Sequence, residues 1–272
     1  MISDITLGQY FPKKSLMHRA DPRMKICLVI YAIVLLFVAG NFASLALAVL
    51  YIGVGMALSR IPVKLYLKSL KPIWFLVIFT GVLNIFYGTG EPLWQFGILK
   101  ITLNGIYTCI FVSVRIVALI LASSVLTFTT SPTQLTDAIE RLLKPLSKLH
   151  VPVHEFAMMM TIALRFVPTL LEETDKIMAA QKARGADMES GGITQRIRAL
   201  VPVLIPLFVS AFRRAYDLAT AMESRCYHGG EGRTKMKSLH FGKNDWAVLL
   251  SALVALGLFV VLNMVLPPVG RV

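Results

Sequence analysis

A polytopic α-helical membrane protein is the fold class this sequence predicts, and three observations predict it. The 272 residues are 56% hydrophobic and only 16% charged, with a mean hydropathy of +0.68, a balance that soluble domains do not show. Several apolar stretches approach or exceed the roughly 20 residues a helix needs to cross a bilayer. The 28 Lys and Arg, set against 15 Asp and Glu, gather in particular segments and leave others bare. The same composition excludes disorder, a collagen-like chain and a disulfide scaffold. Cys27, Cys109 and Cys226 are odd in number and far apart, with no CxxC spacing, so they are expected as free thiols packed like small apolar residues, and no metal site is expected.

Taken in order, the first 25 residues are polar and basic without an apolar core, so no cleavable signal peptide is expected. The apolar run Ile26–Leu58 is too long for one crossing and is broken at Gly40-Asn41, which predicts two short spans joined as a hairpin. A third span is expected over Ile73–Tyr87, opened by Pro72 where a missing N–H costs nothing. A fourth covers Ile101–Phe128 and contains Arg115, and a last one runs from Trp246 to Leu266, closed by Pro267-Pro268. Short cytoplasmic loops carry the Lys and Arg excess. Five such residues precede Ile26, four lie between Arg60 and Lys71, and sixteen lie between Arg141 and Lys243, while the Gly40-Asn41 turn has none. The N-terminus and the 134–243 segment are therefore expected inside and the C-terminus outside. This gives a membrane domain over 1–133 with four spans, a cytoplasmic helical domain over 134–243, and a C-terminal span within 244–272.

The 134–243 segment is too apolar for a loop and too interrupted for membrane crossings. Leu135, Ala138, Ile139, Leu142, Leu143, Leu146 and Leu149 recur at helical spacing with Asp137, Glu140, Arg141, Lys144 and Lys148 on the other side. A second helix is expected from about His154 to Arg184, kinked at Pro168 and capped by Gly185, and a third from about Arg196 to Arg225. Two apolar stretches within them, Phe156–Leu164 and Leu200–Phe212, are candidates for hidden spans but fall short of the length a crossing requires, and a hairpin of both would preserve the topology. One pattern occurs twice at helix ends: Ala183-Arg184-Gly185 and Ser224-Arg225-Cys226. Small residues beside an arginine let another backbone approach, and the guanidinium fork suits carboxylates or helix-end carbonyls. Ordinary capping accounts for the same residues, since a cation at a helix C-terminus is favoured by roughly 0.3 to 1 kcal/mol.

An ordered series of short motifs extends this. Gly8-Gln9-Tyr10, Ser15-Leu16-Met17-His18-Arg19-Ala20-Asp21-Pro22-Arg23, Leu126-Thr127-Phe128-Thr129-Thr130-Ser131-Pro132, Ala163-Leu164-Arg165-Phe166-Val167-Pro168-Thr169, the two arginine triplets, Arg225-Cys226-Tyr227 and Gly232-Arg233-Thr234 span nearly the whole chain. In this series the chain resembles the transmembrane T component of energy-coupling factor (ECF) ABC importers. The resemblance implies an all-α scaffold with about five transmembrane helices and a cytoplasmic coupling-helix domain, in a bacterial cytoplasmic membrane. It implies two ATP-binding partner subunits that dock at Ala183, Arg184, Gly185, Ser224, Arg225 and Cys226. The departure of the second triplet from Ala-Arg-Gly favours two different ATPase chains. It also implies a substrate-binding S component, for vitamin or micronutrient uptake, on an apolar face for which Met158, Met159, Met160, Leu204, Leu207, Phe208 and Phe212 are the candidates. Methionine suits a surface that accepts different partners.

Catalysis is not expected. No phosphate loop ending in Gly-Lys-Ser/Thr exists, and Gly230-Glu231-Gly232-Arg233-Thr234 lacks the lysine. ATP and Mg are thus assigned to the partner ATPases, and no cofactor to this chain. The five histidines show no metal spacing, and the basic balance follows from topology and the anionic inner leaflet, without nucleic acid. Arg115, an ionisable group inside a span, is by default functional; a pairing with Glu172, Glu173 or Asn84 is expected. A self-sufficient permease of an ordinary ABC importer is the first alternative, and an intramembrane enzyme the second. Either needs several polar residues within the spans, where Arg115 is nearly alone.

Overall fold

A computed structural model describes residues 10–86, 92–96, 99–186, 192–230 and 242–267. The expectations for Gly8-Gln9, Gly232-Arg233-Thr234 and Pro268 lie outside the described residues. Two compact units result: Gly8–Leu135 together with Lys237–Val272, and Thr136–Met236.

The first unit begins with a single-turn helix, α1 (Leu16–Arg19), and the expected hairpin, α2 (Pro22–Val38) and α3 (Phe42–Ser59). Local chemistry sets both starts. Asp21 caps α2 by accepting from Arg23 N at 2.8 Å, with Pro22 in the first turn. The turn into α3 is held by a capping box in which Asn41 accepts from Ser44 N and Ser44 accepts from Asn41 N. The Arg60–Lys71 stretch is not the loop expected. Val63–Leu70 forms α4, and a 3-10 turn at Lys71–Ile73 leads into α5 (Trp74–Phe86), so one apolar path runs from Val63 to Phe86. Between α5 and the next helix stands an antiparallel hairpin, β1 (Pro92–Phe96) and β2 (Leu99–Thr102). Then come α6 (Leu103–Thr129), which continues through Thr130-Ser131 into α7 (Pro132–Leu143), and, from the C-terminal part, α10 (Lys243–Val265).

The core of this unit is built from small and aliphatic side chains of α2, α3, α6 and α10: Ala32, Leu35, Leu36, Leu45, Ala48, Ile52, Phe111, Ala118, Ala122 and Phe259 are all buried. Lipid tails are as apolar as leucine, so close backbone approach over alanines, with its van der Waals contact, is what holds such helices together. The large residues face outward, as Phe75, Phe79, Leu50 and Val254 do.

Arg115 does not pair with a carboxylate. Its Nη2 donates to Ala39 O at 2.7 Å, and its guanidinium lies 4.6 Å over the Phe111 ring. The Cα–Cβ bonds of a helix tilt toward its N-terminus, which in α6 is the direction of the α2–α3 turn, so the side chain rises to cap the carbonyl end of α2. Asn84 instead donates to Thr80 O. The same turn is tied to α10: Gly40 N donates to Asn263 Oδ1 at 3.0 Å and Asn41 Nδ2 donates to Leu262 O at 3.0 Å. The cysteines also differ from expectation, because Cys27 and Cys226 are exposed and Cys109 is half-buried.

In the second unit α7 is followed by a 3-10 segment, Lys144–Leu149, and two long helices, α8 (Val153–Ala183) and α9 (Ile193–Glu223). Pro168 is accommodated inside an unbroken α8. Five helical paths in the described residues are long and apolar enough to cross a membrane: Phe42–Ser59, Val63–Phe86, Leu103–Thr129, Ile197–Glu223 and Val248–Val265. Four of the five expected spans contribute to this set. Helix α9 qualifies because it extends well beyond the apolar run Leu200–Phe212, whereas α2, at 17 residues, falls just outside. The protein is multi-pass and all-α, with the short hairpin as the sheet among the described residues.

Candidate functional site

The two arginine triplets occupy the same station in two helix ends. At the end of α8, Gly185 N donates to Lys182 O and Ala186 N to Gln181 O, both at 3.0 Å. At the end of α9, Cys226 N donates to Glu223 O at 2.9 Å and Tyr227 N to Met222 O at 3.1 Å. Each pair of bonds is a Schellman motif, in which one residue takes the left-handed conformation and reverses the chain. Those residues are Gly185, at φ +86°, and Cys226, at φ +57°. Arg184 and Arg225 therefore both stand immediately before the reversal, where the helix turns its last carbonyls outward. All six triplet residues are exposed, and neither arginine has an ion-pair partner among the described residues.

Three contacts show that α8 and α9 run antiparallel. Glu173, midway along, receives Ser210 Oγ on one carboxylate oxygen and Arg214 Nη2 at 2.8 Å on the other. Those two donors, Ser210 first, hold the Glu173 carboxyl below the usual carboxylate range. Nearer the end of α8, Gln181 Nε2 lies 3.5 Å from Pro202 O. That carbonyl is free because Pro206, four residues on, has no N–H to give it. At the start of α8, Tyr227 Oη donates to Met158 Sδ at 3.0 Å. The Arg225 end thus returns to the first turns of α8, while Arg184 closes its last. At about 1.5 Å of rise per residue the stretch from Met158 to Arg184 is roughly 40 Å long.

The Arg225 end is further anchored. His154 Nδ1 lies 3.0 Å from Glu140 Oε1 of α7, and Gly230 rests on the His154 ring so closely that a Cβ there would fall 2.1 Å from His154 Cδ2. Sequence reading missed this latch, because Glu140, His154 and Gly230 are distant in the chain and each is ordinary alone. Glu173, expected as a possible partner for Arg115, is turned instead into the α8–α9 contact. A polar residue near the middle of each of two long amphipathic helices was the available signal.

Of the apolar candidates, Met159, Met160, Leu204, Phe208 and Phe212 are exposed, Leu207 is half-buried, and Met158 is half-buried with its sulfur taken by Tyr227. On α9 the exposed residues form a longer stripe than the sequence list, with Ile197, Val201 and Tyr216 continuing it at helical spacing. Among the described residues no cluster of three metal-ligating side chains occurs.

Residues 13–236 match the family model described as CbiQ, cobalt transport protein. The energy-coupling factor transporter transmembrane protein EcfT of Ruminiclostridium cellulolyticum is 54% identical over 245 residues, which is 90% of this chain and 92% of that protein. EcfT of Acidaminococcus fermentans is 52% identical over 262 residues, covering 96% and 97% of the two chains. EcfT of Bacillus subtilis is 48% identical over 256 residues, covering 93% and 96%. With similarity at that level along nearly the whole chain, and five apolar helices of membrane-crossing length, this protein belongs to the EcfT family of energy-coupling factor transporter transmembrane components.

Proposed function

We propose that the chain is the scaffold that couples two partner ATPases to uptake of a vitamin or other micronutrient through a separate substrate-binding S component. The observation that carries this reading is the pair of exposed arginines in matching Schellman ends, roughly 40 Å of helix apart and without an ion-pair partner among the described residues. A guanidinium just before a chain reversal is free to enter a groove and take carboxylates or helix-end carbonyls in a bidentate manner. Ala183, Gly185, Ser224 and Cys226 are small enough to let the partner's backbone follow. ATP and Mg bind the partners, and this chain holds no cofactor of its own. The two ends differ at Gly185 and Cys226, which favours two different ATPase chains. Motion of those subunits on ATP binding and hydrolysis passes through α8 and α9 as levers. The stripe of Met159, Met160, Leu204, Phe208 and Phe212, with Leu207 and Met158 at its edge, receives the S component.

A self-sufficient permease would line a path with polar groups, whereas Arg115 is engaged at Ala39 O and Phe111. The scaffold reading places the N-terminus and residues 134–243 in the cytoplasm and the C-terminus outside. In this arrangement α9 lies at the cytoplasmic face despite its length.

Single substitutions Arg184→Ala and Arg225→Ala each weaken capture of the ATPases, and the double variant abolishes transport. Truncating one partner of a desolvated charge pair typically costs about 2 to 5 kcal/mol. Co-purification of the double variant with both ATPases at wild-type yield would overturn the docking role. Topology is checked with impermeant thiol reagents. Cys226 and an introduced Ala186→Cys, which flank α9, both label from the cytoplasm only, and a cysteine in place of Glu91 labels from outside. Labelling of positions 186 and 226 from opposite sides means that α9 crosses.

A further inference from the structure

A cavity of about 90 Å³ lies within the membrane unit, between α2, α3, α6 and α10. Its lining is mainly aliphatic, with Leu28, Val29, Ala32, Val54, Leu58 and Val248; Lys25 and Thr129 meet at one end, and deeper in Tyr51 and Ser251 are hydrogen-bonded to each other. Val54 and Leu58 are exposed on α3 as well as lining the cavity, so it opens sideways on the α3 face. The Lys25 end lies beside the starts of α2 and α10 and the ends of α3 and α6, and the mainly aliphatic part runs deeper along all four. That polarity is the polarity of a phospholipid in the leaflet on that side.

Two charge observations identify the head. Lys25 is buried to 3% exposure, and its ammonium has one hydrogen-bond partner among the described residues, Thr129 O at 3.1 Å. An ammonium has three donors, so among the described residues two are left for a further acceptor at the cavity's Lys25 end. Outside, Lys13 Nζ donates to Arg60 O at 2.7 Å, two residues along the chain from Leu58, which lines the cavity. Lys14, Lys64, Lys68 and Lys71 are exposed nearby in sequence, on the N-terminal segment and on and after α4. The described carboxylates of this unit, Asp21 and Asp245, are buried and engaged: Asp21 with Arg23, Asp245 with the backbone N–H groups of Asp21 and Gly242. Those carboxylates act on Arg23 and Lys25, while among the described residues neither is paired with Lys13 or Arg60; clusters of four or more Lys and Arg beside a membrane attract anionic lipid.

We propose that this cavity holds one acyl chain of an anionic phospholipid, whose phosphate sits at the Lys13 and Arg60 mouth and whose glycerol ester oxygens face Lys25. Gly55 lines the slot. A Cβ there would meet Met17 Cε at 3.6 Å, an ordinary contact, so the position accepts a side chain that then occupies the slot. Gly53, two residues away, faces open space and serves as the control.

The test uses the full chain in neutral detergent, with phosphatidylglycerol and phosphatidylcholine of identical chains, and native mass spectrometry to read retained lipid. Wild type and Gly53→Leu retain one phosphatidylglycerol in preference to phosphatidylcholine. Lys13→Gln and Arg60→Gln each reduce that retention by roughly fivefold. Gly55→Leu removes retention of both lipids. Equal retention of the two lipids by wild type, or wild-type retention by Gly55→Leu, overturns the proposal. Should Gly55→Leu unfold, a phosphatidylglycerol with a photoreactive group in mid-chain decides with the wild-type protein. Crosslinks within 28–32, 51–58 or 248–251 support the site, and crosslinks confined to other segments overturn it.

Discussion

The ends of α8 and α9 share one backbone device and differ in everything that holds it in place. The Arg184 end has glycine at the left-handed position and, nearby, the long Gln181 to Pro202 contact across to α9. The Arg225 end has cysteine there, a residue whose Cβ disfavours that conformation by about 1 to 2 kcal/mol. It is also latched to α7 and α8 through Gly230, His154, Glu140 and Tyr227. A strained cap persists where surrounding contacts over-determine it. The difference teaches that two ends with one recognition chemistry can be unequal in stiffness, with Arg225 on a braced support and Arg184 on a hairpin tip.

The comparison breaks most readily at Gly230. Gly230→Val drives a side chain into the His154 ring and separates the latch from α8. A cost of about 1 to 3 kcal/mol is expected, as for other overpacked sites. Thermal unfolding of the full chain measures it, and amide exchange rises at 224–230 while 183–186 is unchanged. Faster exchange at both ends, or at neither, means that the latch does not brace Arg225 in particular.

Exchanging the left-handed residues sharpens the contrast. Gly185→Ala, at φ +86°, destabilises the first end by about 1 kcal/mol or somewhat more. Cys226→Gly relieves strain at the second, and the extra freedom of the unfolded chain offsets part of the gain, so a stabilisation of up to about 1 kcal/mol is expected. Denaturation midpoints of the two variants should move in opposite directions; movement in the same direction contradicts the assignment of strain to Cys226.

The smallest effect belongs to the contact the two ends share. Glu173→Gln keeps an acceptor for Ser210 but removes the charge opposite Arg214, and for so accessible a pair the loss is no more than about 1 kcal/mol. Its pH dependence has a definite sign. The folded-state pKa of Glu173 is depressed, so its stabilisation is present above the ordinary glutamate value, about 4.3, and fades as pH falls below it through the folded value. Wild type should therefore lose part of its margin over Glu173→Gln in that acidic window, as followed by unfolding at stepped pH.

Much of the fold was legible in the chain. The Gly40-Asn41 break, the length of Leu103–Thr129 and the two long helices before Gly185 and Cys226 follow from apolar run length, helical spacing and turn residues. Where reading failed, the cause was a partner remote in sequence. Arg115 was expected to find a carboxylate, yet it caps Ala39, 76 residues away. The run Leu200–Phe212 was bounded by the charges of Arg198 and Arg213, while the helix that contains it extends from Ile193 to Glu223. Val63–Leu70, read as a loop for its lysines, is a helix whose Tyr66 is buried against Phe128 and bonded to Ser59.

The sequence by itself determined the solvent, the number of long helices and the two arginines at helix ends, because hydrophobic length, periodicity and capping are local properties that each segment carries alone. Only the tertiary structure decided what those ends rest on, where Arg115 and Glu173 find partners, and that four helices leave a cavity beside Lys25. Those features depend on which atoms arrive within a few ångströms of one another, a matter of packing across hundreds of residues that no window of sequence contains.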